Sequence, residues 1–73
     1  MGSKYPVLTP KEIIDTLKKF NFSFVNQKGS HIKYSNGKRT TIIPNHIEVA
    51  KGTLKSILEL ADISLEDFLE RLK

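Results

Sequence analysis

With 73 residues and no cysteine, the chain suffices for one small domain, cannot enclose a large cofactor beside its own core, and has neither disulfides nor thiolate metal sites. Its net charge is +4, which favours anionic partners, and no apolar run approaches the roughly 20 residues of a membrane span. A domain of this size buries only about 60% of its unfolded surface, so a shallow surface site and stabilisation by a partner are expected.

The stretch Met1 to Pro6, MGSKYP, lacks the apolar core of a signal peptide, and Pro6 breaks the myristoylation pattern. Residues 1–7 are expected to be a flexible or partly ordered tail on a single domain spanning 1–73, in a cytoplasmic protein. The first element is a helix in LTPKEIIDTLKKF, from Leu8 to Phe20. Thr9 suits the N-cap, Pro10 the first helical position, and Glu12 completes a capping box. Leu8 and Ile13 occupy the two positions of a hydrophobic staple. Ile13, Ile14, Leu17 and Phe20 share a helical face, and Asn21 suits a left-handed stop.

Strand signals follow. FSFVNQ, residues 22–27, is the first, with Phe22 and Phe24 on one face. After Gly29, SHIKYS alternates: Ser30, Ile32 and Tyr34 on one face, His31, Lys33 and Ser35 on the other. Asn36-Gly37 signals a hairpin, and KRTTIIP, residues 38–44, is the third strand. A two-residue turn at Asn36-Gly37 would set Lys33 opposite Thr40 and His31 opposite Ile42. NHIEVAKG is a loop or short extended piece. GTLKSILELA places Leu54, Ile57, Leu58 and Ala61 at helical spacing, with Gly52 expected in a turn and Thr53 as cap. DISLEDFLERL adds Leu65, Phe68, Leu69 and Leu72, with Ser64 as N-cap.

The order α-β-β-β-α-α predicts a two-layer α+β domain. Three strands alone would be unstable, so the helices should cover one sheet face and leave the other to water. If Ile32 and Tyr34 meet the helices, His31 and Lys33 face outward.

Charge is distributed unevenly. Residues 22–55 hold Lys28, Lys33, Lys38, Arg39, Lys51 and Lys55 against Glu48 alone, a balance of +5, whereas residues 56–73 balance at −3. Both histidines lie in the basic segment. His31, on a polar strand face between lysines, is the candidate general acid or base, and those cations should depress its imidazolium pKa. His31 and His46 are the only imidazoles and only Glu48 stands close to either in sequence; spacing leaves a His31/His46/Glu48 metal set open, but no metal motif is present. Ser30 and His31 point to opposite faces, which disfavours a serine nucleophile. Gly52-Thr53 reads as a structural turn and cap, or as a phosphate-facing helix start.

KGSHIKY at 28–34, IIPNH at 42–46, KGTLKSIL at 51–58 and ADISLEDFL at 61–69 together resemble the HicA toxin family, also called YcfA-like. The resemblance runs from about Leu8 to Leu72. It implies a fold like the double-stranded RNA-binding domain, α-β-β-β-α, with a three-stranded antiparallel sheet and helices on one face. It also implies a metal-independent mRNA interferase of a toxin–antitoxin pair, without cofactors, blocked by a HicB-like antitoxin. The family's catalytic histidine, in its G-S-H motif, maps onto His31. Many members carry a second histidine directly after it, where this chain has Ile32.

On that basis His31 is the expected catalyst, acting while the RNA 2′-OH attacks the adjacent phosphate. Lys28, Ser30, Lys33, Lys38 and Arg39 are the expected RNA contacts. His46 is a candidate second acid–base group or antitoxin contact, and Gly29, Gly52 and Thr53 are structural or phosphate-facing positions. The alternatives are an RNA-binding module without catalysis and a pure interaction domain for an acidic antitoxin surface.

Overall fold

The computed structural model describes residues 5–72. The first helix, α1, runs Pro10–Lys18 and begins on the capping box expected from the sequence. The Glu12 N–H donates to Thr9 Oγ1 at 3.2 Å, and the Thr9 N–H donates to Glu12 Oε1 at 2.9 Å. Two orphan donors of the first turn are thereby satisfied. The helix stops short of Phe20. Asn21 adopts φ 69°, its N–H donates to the Lys18 carbonyl, and the Phe22 N–H returns to the Leu17 carbonyl. This is a Schellman ending, and it draws Phe22 into the core with Leu17.

Three antiparallel strands follow in the order β1-β2-β3: β1 Ser23–Lys28, β2 His31–Ser35 and β3 Thr40–Pro44. Helices α2, Lys51–Ala61, and α3, Leu65–Leu72, complete the α+β fold. Helices α1 and α2 pack on β3, and α3 packs on α1. The core gathers Ile13, Leu17, Ile43, Leu54, Ile57 and Phe68, none more than 1% exposed. Ile32 and Tyr34 are buried on the helix side, while His31 is exposed. The alternation read in β2 therefore holds.

Thr41 is buried with them, and its hydroxyl donates to the Ile57 carbonyl at 2.9 Å, pinning β3 to α2. At the far end of α1, Lys19 Nζ donates to the Arg71 carbonyl at 2.7 Å, and the Arg71 guanidinium lies 5.5 Å from the Phe20 ring centre. Leu8 and Val49 form an antiparallel bridge that fastens the segment before α1 to the loop before α2. Tyr5, inside the stretch expected to be a tail, packs against the core; residues 1–4 lie outside the described residues.

Four expectations need correction. The third strand begins at Thr40, not Lys38, and the β2–β3 register is shifted by two residues: Lys33 faces Ile42 and His31 faces Pro44. The cause is local. Asn36 Oδ1 accepts both the Lys38 and the Arg39 N–H, at 2.9 and 2.7 Å, so residues 36–39 form a four-residue loop in place of a two-residue turn. A shift of two preserves the faces.

Phe22 and Phe24 also have different fates. Phe22 is buried, but Phe24 is 56% exposed, because no residue of β1 is covered by the helices. Phe24 meets only the edge of the Tyr34 ring among aromatic partners, at 6.0 Å. Finally, Gly52 and Thr53 lie inside α2. Ala50 is its N-cap, in extended backbone and without a side-chain cap bond, so neither Gly52 as turn nor Thr53 as cap is realised.

The last two ends are ordinary. Asp62 takes φ 59° and closes α2 with a second Schellman pair, the Ile63 N–H reaching the Leu58 carbonyl at 3.0 Å. Ser64 caps α3 as expected, accepting the Asp67 N–H at 3.1 Å.

Candidate active site

The turn of the hairpin that carries His31 lies one residue later than the sequence signals suggest, between β1 ending at Lys28 and β2 starting at His31. Lys28 pairs directly with His31, so Gly29 and Ser30 alone make the turn. Gly29 has φ +57°, a conformation that two-residue hairpin turns require and L-residues resist. The Asn45 N–H donates to the Ser30 carbonyl at 2.6 Å and ties the end of β3 to the same turn.

On the open sheet face, a cleft of about 380 Å³ is lined by Asn26, Lys28, His31, Lys33 and Ile42. All three strands contribute. Lys28 stands opposite His31, and Lys33 lies between Asn26 on β1 and Ile42 on β3. The lining contains two lysines and an imidazole but no carboxylate, so its field is positive. Among the described residues, the side chains of Lys28, His31 and Lys33 have no hydrogen-bond or ion-pair partner. They remain available to an incoming anion. Away from the cleft, on the surface of α1, Lys11 Nζ donates to the Asp15 carboxylate, which raises the Lys11 pKa and lowers that of Asp15.

The structure thus unites Lys28, His31 and Lys33 and separates the other expected contacts from them. Ser30 occupies the turn beside His31, exposed but outside the cleft lining. Lys38 and Arg39 sit in the loop at the opposite end of the hairpin, in a depression they share with Phe20, Asp62 and Ile63. Arg39 is also 3.5 Å from the Asp62 carboxylate, which partly offsets its charge. His46 follows Pro44 out of the sheet at the His31 end, is exposed, and does not line the cleft. Among the described residues, no group of three His, Asp or Glu side chains is placed to hold a metal ion. His31, His46 and Glu48 therefore do not assemble as a ligand set.

Two cleft residues escaped the sequence reading, Asn26 and Ile42. Ile42 was legible in principle, since alternation from Ile43 sends it outward. Asn26 was not. Alternation from Phe24 places Asn26 on the helix side, yet Phe24 pairs with Tyr34 and Asn26 with Lys33. Val25 is the extra residue of a β-bulge, which turns Asn26 to the open face.

The fold and cleft define a class: a small α+β protein with helices on one sheet face and a basic, histidine-bearing cleft on the other. Residues 10–63 match the family model described as the HicA toxin of bacterial toxin-antitoxin, and the chain belongs to the HicA toxin family. It is accordingly the toxin of a toxin–antitoxin system, with a cognate antitoxin as partner. A comparison with curated proteins finds no match. The matched segment spans α1 through α2 and includes every residue of the cleft.

Proposed function

We propose that the protein is a metal-independent endoribonuclease that cleaves messenger RNA with His31 as its general acid–base group. The observation that carries this reading is the cleft itself, where His31 stands beside two unpartnered lysines on an exposed face. The RNA 2′-oxygen attacks the adjacent phosphorus, and the bond to the 5′-oxygen breaks. The products are a 2′,3′-cyclic phosphate and a free 5′-hydroxyl. His31 takes the 2′-hydroxyl proton or delivers a proton to the leaving 5′-oxygen, and water serves the other transfer. Lys28 and Lys33 hold phosphate oxygens and offset the charge that grows in the transition state.

The order α-β-β-β-α, with helices on one face, is like that of the double-stranded RNA-binding domain, which supports an RNA substrate. In this reading the toxin acts in the cytoplasm, and a HicB-like antitoxin covers the cleft. His46 lies outside the cleft lining, which favours an antitoxin contact over a second acid–base role. Lys38 and Arg39, on the far loop, steer RNA at long range, and Ser30 contacts it at the turn.

The test uses purified protein and end-labelled RNA in the presence of a chelator. Wild type should produce 5′-hydroxyl fragments, with a rate inflection between about pH 5 and 8. His31→Ala should lose about 10²- to 10⁴-fold in rate while still binding RNA. Cleavage by His31→Ala at the wild-type rate would overturn the assignment. RNA binding without any cleavage by wild type would establish the alternative, a non-catalytic RNA-binding module, which the same lysines support.

A further inference from the structure

We infer that Asn26, aimed by the bulge at Val25, is a specificity-determining residue that reads the nucleobase beside the scissile phosphate. The inference rests on the ribonuclease reading and adds to it a base-selective subsite.

The bulge is the first observation. It interrupts the β1–β2 ladder between Phe24 and Asn26 and leaves Val25, a large apolar side chain, 47% exposed. Such an irregularity weakens pairing locally, and its usual effect is to re-aim a side chain. Here it reconciles two demands. Phe24 stays beside Tyr34 on the helix side, while Asn26 joins Lys28, His31 and Lys33 on the open side.

The second observation is that the Asn26 amide is uncommitted. The chain has neighbouring amides with structural duties. Gln27 Nε2 donates to the Gly29 carbonyl at 2.9 Å, and Asn36 Oδ1 accepts two loop N–H groups. Asn26 has no such partner among the described residues. It is the cleft's amide side chain, and it offers two donors and an acceptor side by side, whereas lysines only donate. A phosphate cannot exploit that combination; the edge of a base can.

Geometry supplies the rest. Asn26 is the diagonal cross-strand neighbour of His31, a separation of roughly 7–8 Å that is within the span of one nucleotide. Ile42, 41% exposed on the other side of Lys33, gives the face of an unstacked base an apolar surface. Single-stranded RNA is recognised in this manner, through stacked bases read along their edges.

The experiment maps cleavage sites by sequencing the products of a mixed-sequence RNA pool for wild type, Asn26→Ala, Asn26→Asp and Lys28→Ala. Wild type should show a base preference at one position flanking the cut. Asn26→Ala should reduce that preference about fivefold or more, the lower end of what one good side-chain contact to a base supplies. Asn26→Asp, which keeps the shape but replaces the donor with charge, should shift the preferred base. Lys28→Ala should slow cleavage at all sites alike. Should Asn26→Ala fail to fold by circular dichroism, Asn26→Asp delivers the same readout. An unchanged site preference in variants that cut overturns this inference alone and leaves the bulge as a guard against edge-to-edge pairing. No cleavage by wild type overturns the ribonuclease reading and this inference with it.

Discussion

Lys28 and His31 face each other as the last cross-strand pair of the β1–β2 hairpin, with only Gly29 and Ser30 between them in sequence. The pair places a cation and an imidazole side by side on a surface that no helix covers. If both this lysine and Lys33 hold phosphates, each displaces a counterion from RNA. Measured against salt, the slope of log affinity for single-stranded RNA should then fall in magnitude by about 0.7 for Lys28→Ala and again for Lys33→Ala. Filter binding across a salt series reads this directly. A slope unchanged by both substitutions would remove phosphate contact from this cleft.

Gly29 sets that pairing through its φ of +57°. Apart from its chain neighbours, no heavy atom lies within 4 Å of where a Cβ would project, so the obstacle to substitution is the backbone conformation itself. Gly29→Ala should therefore destabilise the domain by about 1–2 kcal/mol. Gly29→Asn should cost less, because asparagine tolerates the left-handed region. Urea denaturation of the two variants compares them.

Gly52 should behave in the opposite way. It lies in the first turn of α2 with an ordinary helical φ, and a Cβ there would meet nothing within 4 Å. Gly52→Ala should raise stability by about 0.5–1 kcal/mol, since glycine loses more backbone freedom on joining a helix. For a domain of this length the melting temperature should rise by about 4–8 °C per kcal/mol. A drop in melting temperature would mean that α2 begins later than Lys51.

The buried Thr41 hydroxyl is the polar link between sheet and helix. Thr41→Val retains the side-chain shape and removes the bond to Ile57. The expected loss is about 0.5–1.5 kcal/mol, visible as a lower urea midpoint at constant slope. Because the change lies on the helix side, it should leave the cleavage-site preference of wild type intact.

The elements legible in the sequence are those whose signals are local. The Thr9–Glu12 box, the Asn21 stop and the Ser64 cap each involve groups within a few residues, so residue type and spacing suffice to name them. The alternation of His31, Ile32, Lys33 and Tyr34 is local too, and it correctly turned His31 outward. The basic segment and the G-S-H stretch pointed to His31 and the nearby lysines as candidates, and the cleft does bring Lys28, His31 and Lys33 together.

Residue order alone is thus enough for the sequence of elements, the cap and stop of α1, the cap of α3 and the outward face of β2. Which residues of the neighbouring strands join His31 depends instead on long-range packing. Pairing between strands depends on turns and on the packing of distant side chains, and their signals can conflict. The tight turn at Gly29-Ser30 demands one register for β1, and the place of Phe24 beside Tyr34 demands another. The bulge at Val25 accommodates both, and that compromise puts Asn26 in the cleft. Likewise, two hydrogen bonds accepted by one Asn36 oxygen lengthen the second turn and bring Ile42, not Thr40, opposite Lys33.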